Sequence, residues 1–453
     1  MFKKVLIANR GEIAVRILRA CRELQIHTVA VYSEADADAL HVKMADESYC
    51  IGPASANLSY RNIPNILSAA ELTGAEAIHP GYGFLAENGH FAEVCESVGV
   101  RFIGPSAESI HLLGNKAKAR EVMKKAGLPV VPGSDGPIAS DAEALEVANQ
   151  IGYPLIIKAV SGGGGRGIRV VHKEEELMAH LKTARTEGKT VFGDDNVYME
   201  KYFTDPRHIE VQVLADEKGK AVFFTERDCS IQRRHQKLIE ESPSPVVDEK
   251  MRRDLGRWAL DAVRATHYVN AGTVEFLFDK EFYFIEMNAR IQVEHPITEA
   301  IHGVDLIKEQ INIAAGRGLE WKQSQIKGQG HSIECRINTE CPEKFTPSSG
   351  MITSFHLPGG PGVRIDSGLT HPMRVTPYYD PMIAKLIVHA DDREAAIAKM
   401  KMALAEFSIE GVKTTLPLYR RIFEDPTFMK GRYSTNYIEG LLSAPTASET
   451  TAQ

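Results

Sequence analysis

The sequence predicts an α/β protein in three parts: an N-terminal doubly wound parallel sheet, a central domain with a mobile glycine-rich loop, and a mixed α+β C-terminal domain. Three observations carry this prediction. Short apolar runs alternate with helically spaced apolar residues up to about residue 110, the pattern of βαβ units around a parallel sheet. The turn-rich segment GLPVVPGSDGP (127–137) leads into a second region with its own strands and a run of four glycines. Beyond a break near 325–330, Pro- and Gly-rich turns (TPSSG, 346–350; PGGPG, 358–362) separate strand-like segments, with a helix at 393–407. A chain of 453 residues exceeds one ordinary core, so two or three domains are expected.

In order, KVLIAN (4–9) reads as a buried strand, and Glu12–Gln25 as a helix with Ile13, Ile17, Leu18, Cys21 and Leu24 on one face. Strand-like 27–33, helical 63–72, strand-like 75–81, a helix near 90–98 and strand-like 100–105 follow. The first strand leads into NRGEIA, which lacks the GxGxxG that lets a pyrophosphate approach a helix N-terminus, so a dinucleotide site is disfavoured. The tail from 443 to 453 is small and polar, and disorder is expected at least over 447–453.

Composition narrows the class. Hydrophobic residues make up 43% and charged residues 25%, as in soluble globular proteins. The net charge of −7 argues against nucleic acid as a partner. The apolar run Val5–Ala8 is too short for a signal-peptide core, and no stretch approaches the ~18 apolar residues of a membrane span. Six scattered cysteines without a CxxC pair read as reduced thiols, and a cytoplasmic location is expected.

Three segments carry chemistry. SGGGGRG (161–167) lies between the strands 153–159 and 168–171, with Lys158 on the first. It reads as a flap whose bare amides fold over a polyphosphate beside a fixed cation; the plain alternative is a flexible hairpin tip. In TVEFLFDKEFYFIEMNARIQVEH (273–295), Glu275 and Glu286 sit in apolar strand-like runs, where an unpaired carboxylate is costly. With Asn288 they offer hard oxygen ligands for Mg²⁺ bridging nucleotide phosphates; water-facing edge carboxylates are the alternative. Downstream, Arg290 offers a planar fork for a planar anion, Gln292 orients it, and Glu294 is placed to act as a base. Strand alternation is expected to continue through this stretch, turning Ala289 away from Asn288 and Arg290, and a half-exposed strand is the bland reading. His295 caps or braces the loop. ERDCSIQRRHQK (226–237) is either a solvated basic face or the source of Lys237 as a second cation.

Together these segments resemble the ATP-grasp superfamily, and within it the biotin carboxylases. The resemblance is carried by ANRGEIA (8–14), AIHPGYGFLxEN (77–88), IIKAxxGGGGRG (156–167), YMEKY (198–202), ERDCSIQRRHQK, FIEMNxRxQVEHP (284–296), IECRI (333–337) and PYYDPMIAK (377–385). It runs from the first strand to about residue 440. It implies domains at 1–114, 115–330 (an ATP-grasp domain with its lid at about 131–203) and 331–446.

The resemblance also implies roles. Lys116 and Lys158 contact ATP phosphates, Gly164 and Gly165 belong to the flap, and Glu200, Lys201, Tyr202 and Phe203 line the adenine pocket. His208 and His235 lie near the nucleotide. Glu275, Glu286 and Asn288 hold two Mg²⁺ (or Mn²⁺) ions with ATP. Lys237, Arg290, Gln292, Val293 and Glu294 bind bicarbonate, with Glu294 as base, and Arg336 faces biotin. The implied partners are ATP, bicarbonate, a biotin carboxyl carrier protein and carboxyltransferase subunits, in a homodimer, most simply within acetyl-CoA carboxylase and fatty acid biosynthesis. Pyruvate and propionyl-CoA carboxylases, or a carboxylate–amine ligase, are the alternatives. KMKM (399–402) mimics a biotinylated Met-Lys-Met, but the periodicity of 393–407 assigns Lys401 to a helix surface. Biotin is therefore expected on a partner.

Overall fold

A computed structural model describes residues 1–160 and 168–443, apart from the side chains of Val191 and Phe192. Gly164, Gly165 and the tail at 447–453 lie outside the described residues. The N-terminal part is the expected parallel sheet. Strands β1 (Lys4–Ile7), β2 (His27–Tyr32), β3 (Glu47–Cys50), β4 (Ala77–His79) and β5 (Arg101–Phe102) pair in the order β3-β2-β1-β4-β5. Helix α1 (Gly11–Glu23) follows β1 and buries Ile13, Ile17, Leu18 and Cys21; Leu24, the fifth residue its spacing singled out, lies just past the helix end and is only partly buried.

The N-terminus of α1, where a dinucleotide would put its pyrophosphate, is filled by the protein itself. Glu12 is buried in its first turn, and a Cβ on Gly368 of the C-terminal part would lie 3.2 Å from the Gly11 Cα. Backbone from two domains meets there, so the Gly11 end of α1 is packed against the C-terminal part.

A small antiparallel sheet, β7-β6-β8, is built from β6 (Leu155–Ala159), β7 (Ile168–Val171) and β8 (Val197–Lys201). The helices Asp141–Ile151 and Glu174–Phe192 cover one face. Leu155, Ile157, Val197 and Met199 pack there on Ala144, Ala148, Leu177 and Leu181.

The main sheet joins the central and C-terminal parts. It has nine strands: β9 (Arg207–Ala215), β10 (Ala221–Phe223), β11 (Arg227–Arg233), β12 (Gln236–Ser242), β13 (Asn270–Asp279), β14 (Glu281–Asn288), β15 (His331–Asn338), β18 (Val363–Ser367) and β20 (Met382–Ala390). Their order is β14-β13-β9-β11-β12-β15-β20-β18, with β10 on β9. Two short pairs stand apart: β16 (Gly350–Ile352) with β19 (Met373–Val375), and β17 (Ser354–His356) with β21 (Ser408–Glu410). The sheet does not stop at the break near 330. β12 and β15 pair antiparallel, Ile239 opposite Cys335 and Glu240 opposite Glu334, so strands from both sides of that break form one surface. A turn-rich linker marks a change of direction here, not the edge of a sheet.

The helix Arg393–Glu406 forms as predicted, with Lys401 on its surface 2.9 Å from Glu424. No described helix is long and apolar enough to cross a membrane. The six cysteines are free.

Candidate active site

The expected strand alternation through 289–294 is not found. β14 ends at Asn288, and the chain runs as an irregular loop to the helix His295–His302. The loop is nonetheless held at several points. Glu87 of the N-terminal part accepts from the Ala289 N–H at 3.0 Å and pairs with Arg290 at 2.9 Å. The Arg290 guanidinium donates to the Gln292 side-chain oxygen at 2.8 Å. His295, fully buried, has Nδ1 2.8 Å from the Gln292 carbonyl, so it braces the loop. Burial and nearby Lys385, Arg16 and Arg364 hold this imidazole neutral, well below its ordinary pKa. Ala289 is buried in the main core.

ERDCSIQRRHQK is a hairpin. Arg234 and His235 form its two-residue turn, both with positive φ, the backbone twist that suits tight antiparallel connections. They are exposed, whereas Lys237 returns into β12 with its ammonium inside. The basic run thus divides: its tip is the solvated face, and its last lysine is the cation. His235 stands on that exposed tip; His208 is buried, its Nε2 3.0 Å from Glu275.

Lys237 meets three carboxylates: Glu210 at 2.6 Å, Glu294 at 2.7 Å and Glu275 at 3.0 Å. Arg227, fully buried on β11, closes the network with 2.6 Å to Glu210 and further bonds to Gln212, Thr273 and Thr298. Burial alone would raise the Glu294 carboxyl, but Lys237, Arg336 and Arg227 outweigh it and hold it well below the carboxylate range. Glu210 goes the other way, because burial and repulsion from Glu294 exceed the pull of Lys237 and Arg227. Lys237, Arg227 and Arg336 thus face four carboxylates, Glu210, Glu240, Glu275 and Glu294, so the network carries an excess of acidic groups.

Arg336 on β15 reaches Glu240 at 2.6 Å and Glu294 at 2.8 Å. Its ion-pair partners are therefore Glu240 and the base candidate itself, not its strand neighbour Glu334. Continuity of the sheet across β12 and β15 is what brings it to Glu294.

The nucleotide side is built differently. Lys116 opens the helix Lys116–Lys125 and pairs with Glu286 at 3.0 Å, its side chain 76% exposed. Lys158 on β6 pairs with Glu200 on β8. Lys201 instead donates to the Tyr153 carbonyl at 3.0 Å, away from Glu200. The Tyr202 N–H binds the Pro154 carbonyl, and Phe203 stacks on Tyr283 with centroids 4.8 Å apart.

Glu275 and Glu286 lie opposite each other on β13 and β14, which suits a hard cation carried on a polyphosphate. Glu275 is buried, whereas Glu286 is half-exposed rather than enclosed by apolar neighbours. Glu275 accepts the Asn288 amide N–H at 2.8 Å, and the Asn288 oxygen faces Arg290. Reading the sequence missed Glu87, Glu210, Arg227 and Glu240. The signal that picked out Glu275, a charge inside an apolar strand, is equally present for Glu210 in RHIEVQVLA.

Comparison with known proteins covers almost the whole chain. Residues 1–110 match the biotin carboxylase N-terminal domain, 115–322 the ATP-binding domain of the carbamoyl-phosphate synthase L chain, and 334–440 the biotin carboxylase C-terminal domain. Biotin carboxylase 1 of Bacillus subtilis is 57% identical over 97% of this chain and 98% of its own. Among solved structures, a Campylobacter jejuni biotin carboxylase–ATP complex has a TM-score of 0.92 and 51% identity, covering 97% of this chain and 99% of that one. The biotin carboxylase domain of Hydrogenobacter thermophilus 2-oxoglutarate carboxylase is a dimer bound to MgADP, ADP and bicarbonate. It gives a TM-score of 0.91 and 50% identity over 98% of this chain and all of that one.

Proposed function

The chain belongs to the biotin carboxylase family, and from that premise we propose how its residues divide the ATP- and bicarbonate-dependent carboxylation of biotin. The observation that carries the division is the convergence of Lys237, Arg336 and the base candidate Glu294 at the end of the loop bearing Arg290 and Gln292.

MgATP lies along the wall of Lys116, Lys158, Glu200 and the 201–203 segment, its phosphates taking over lysines now paired with carboxylates. Glu275 and Glu286, with Asn288, hold the Mg²⁺ (or Mn²⁺) that arrives with the nucleotide, whose charge helps neutralise the phosphates. By the resemblance alone, Gly164 and Gly165 are assigned to the phosphates. Bicarbonate binds between Lys237 and Arg290, oriented by Gln292 and the Val293 backbone. Its negative charge draws on the cations that depress Glu294, so the carboxylate regains basicity when its substrate is present. Glu294 takes the bicarbonate proton, and the oxygen attacks the γ-phosphorus as the bond to ADP breaks, giving carboxyphosphate. That splits into CO₂ and phosphate; phosphate takes the ureido proton of biotin, and the nitrogen attacks CO₂. Arg336 stabilises the ureido oxygen as charge develops there.

The helical setting of Lys401 supports biotin arriving on a separate carrier protein. The proposed setting is a cytoplasmic homodimer within acetyl-CoA carboxylase, feeding carboxyltransferase subunits and fatty acid synthesis. The 2-oxoglutarate relative keeps another acyl acceptor as the second reading. ATP hydrolysis measured with and without bicarbonate and free biotin tests the assignment. Turnover that requires bicarbonate and is raised by free biotin is expected. Turnover that needs an amine instead, or neither, overturns it.

A further inference from the structure

Of three motifs quoted above, ANRGEIA and PYYDPMIAK contribute nothing to the nucleotide or anion contacts just assigned and AIHPGYGFLxEN contributes only Glu87, at Arg290, yet the three meet at one point. Lys385, the last residue of PYYDPMIAK, is 0% exposed in the middle of β20. Its ammonium donates to the Val293 carbonyl at 2.9 Å and lies 3.2 Å from the Glu12 carboxylate of ANRGEIA. Glu12 also accepts from the Tyr82 hydroxyl of the second motif, and the Asn9 amide ties this loop by donating to the Pro80 and Tyr82 carbonyls, each at 2.7 Å. An enclosed ammonium is tolerated only with such acceptors, so all three groups are committed to one geometry.

The place of that contact gives it meaning. Val293 directly precedes Glu294, and Lys385 lies opposite Arg336 on the neighbouring strand and opposite Asp366 on the other side. A trans peptide holds its carbonyl and the following N–H antiparallel. Fixing the Val293 carbonyl on Lys385 therefore fixes the plane of the peptide from which the Glu294 side chain departs. Glu87 secures the other end of the same loop at Ala289 and Arg290. We propose that Lys385, seated by Glu12 and Tyr82, is a positioning residue that sets the 292–294 backbone for bicarbonate. It touches no reactant and acts through Val293 and Glu294. The proposal rests on the bicarbonate reading of that loop.

Lys385→Met keeps the stem and removes the donor and the charge. Glu12→Gln combined with Lys385→Met removes both charges, so no unpaired carboxylate is left buried. Misplacement of a reacting group by about 1 Å costs on the order of 100-fold, so a 10- to 100-fold loss of kcat/KM for bicarbonate is expected in both. KM for MgATP should stay within about twofold, since the phosphate wall is built on other strands. Lys385→Arg, which restores a donor and the charge, should recover part of the loss. Equal losses toward bicarbonate and MgATP, unchanged bicarbonate kinetics, or failure of both Met variants to fold would make Lys385 an ordinary core ion pair and overturn the proposal. Arg290→Ala serves as the reference. If it too leaves bicarbonate kinetics unchanged, the fault lies in the reading of the loop; if it responds and the Lys385 variants do not, only the positioning role falls.

Discussion

The nucleotide wall and the anion pocket hold their charges in opposite ways. On the wall, Lys116 and Lys158 each face one carboxylate, in pairs that are partly open to water. In the pocket, Lys237, Arg227 and Arg336 share Glu210, Glu240, Glu275 and Glu294 in a network from which water is largely excluded. Exposed pairs contribute about 0–1 kcal/mol each and are readily exchanged, whereas breaking one side of a buried pair costs about 3–5 kcal/mol. The difference suits the tasks. A polyphosphate enters and leaves by displacing weak pairs, while a small planar anion needs groups already in place.

The sharpest way to break this comparison is inside the pocket. Glu294→Gln should lose about 10²–10⁴ in bicarbonate-dependent turnover, with KM for MgATP nearly unchanged. Near-full activity would move the base elsewhere. Arg336→Ala should reduce biotin carboxylation about a thousandfold, taking a unit charge at ~4 Å in an effective dielectric near 20 as worth roughly 4 kcal/mol. Bicarbonate-dependent ATP cleavage without biotin should fall much less. Arg336 also compensates two buried glutamates, so its removal should lower the melting temperature. Pairing Arg336→Met with Glu240→Gln removes charges of both signs. Stability should return while biotin carboxylation stays lost. If activity returns with stability, Arg336 is a structural residue.

A second contrast lies on one strand. Glu240 and Glu241 are neighbours on β12 and point to opposite faces of the sheet. Burial pushes Glu240 up to about 7 despite Arg336, with Glu294 adding repulsion. Burial also acts on Glu241, but hydrogen bonds from His331 and Arg393 overcome it and bring its carboxyl down to about 2. Because its folded value is depressed, Glu241 contributes stability above about pH 4.5, lost as pH falls toward 2. The shift corresponds to about 3 kcal/mol as an upper guide. Glu241→Gln should flatten the acid limb of stability against pH, measured by urea unfolding between pH 5 and 3, within what the rest of the chain tolerates. An unchanged limb would mean that the pair does not survive in solution.

What the sequence revealed follows the same division. Local periodicity suffices for the βαβ region, for α1 and for the helix bearing Lys401, because each is decided by apolar spacing within one element. Glu275 was legible because a charge amid apolar neighbours needs a partner, Glu294 from its place after Arg290 and Gln292, and Lys237 as one reading of a basic run. The partners were not legible. Glu87 lies about 200 residues from Arg290, and Arg336 meets Glu240 only because β12 and β15 join across a linker that reads as a boundary. The loop at 289–294 misled because its polar–apolar alternation mimics a strand, whereas its side chains are arranged by contacts from Glu87, His295 and Lys385.

The smallest expected effect falls on the wall, and its sign is the informative part. Lys116 is 76% exposed and Glu286 35% exposed in their pair, so Glu286→Gln should change stability by less than about 1 kcal/mol. Its effect on nucleotide binding depends on which role Glu286 serves. As a mere partner of Lys116, it competes with the phosphates, and removing its charge frees the lysine; KM for MgATP would then fall. As an oxygen ligand opposite Glu275, it adds to binding only when the metal is present, and its loss should raise both KM for MgATP and the free Mg²⁺ needed for half-maximal turnover, by several-fold. Titrating Mg²⁺ at fixed ATP separates the two. A higher requirement in Glu286→Gln, unmoved in Lys116→Gln, would assign the carboxylate to the metal and the lysine to phosphate. A lower KM with an unchanged Mg²⁺ requirement would remove Glu286 from the ligand set and leave Glu275 to hold the ion with Asn288.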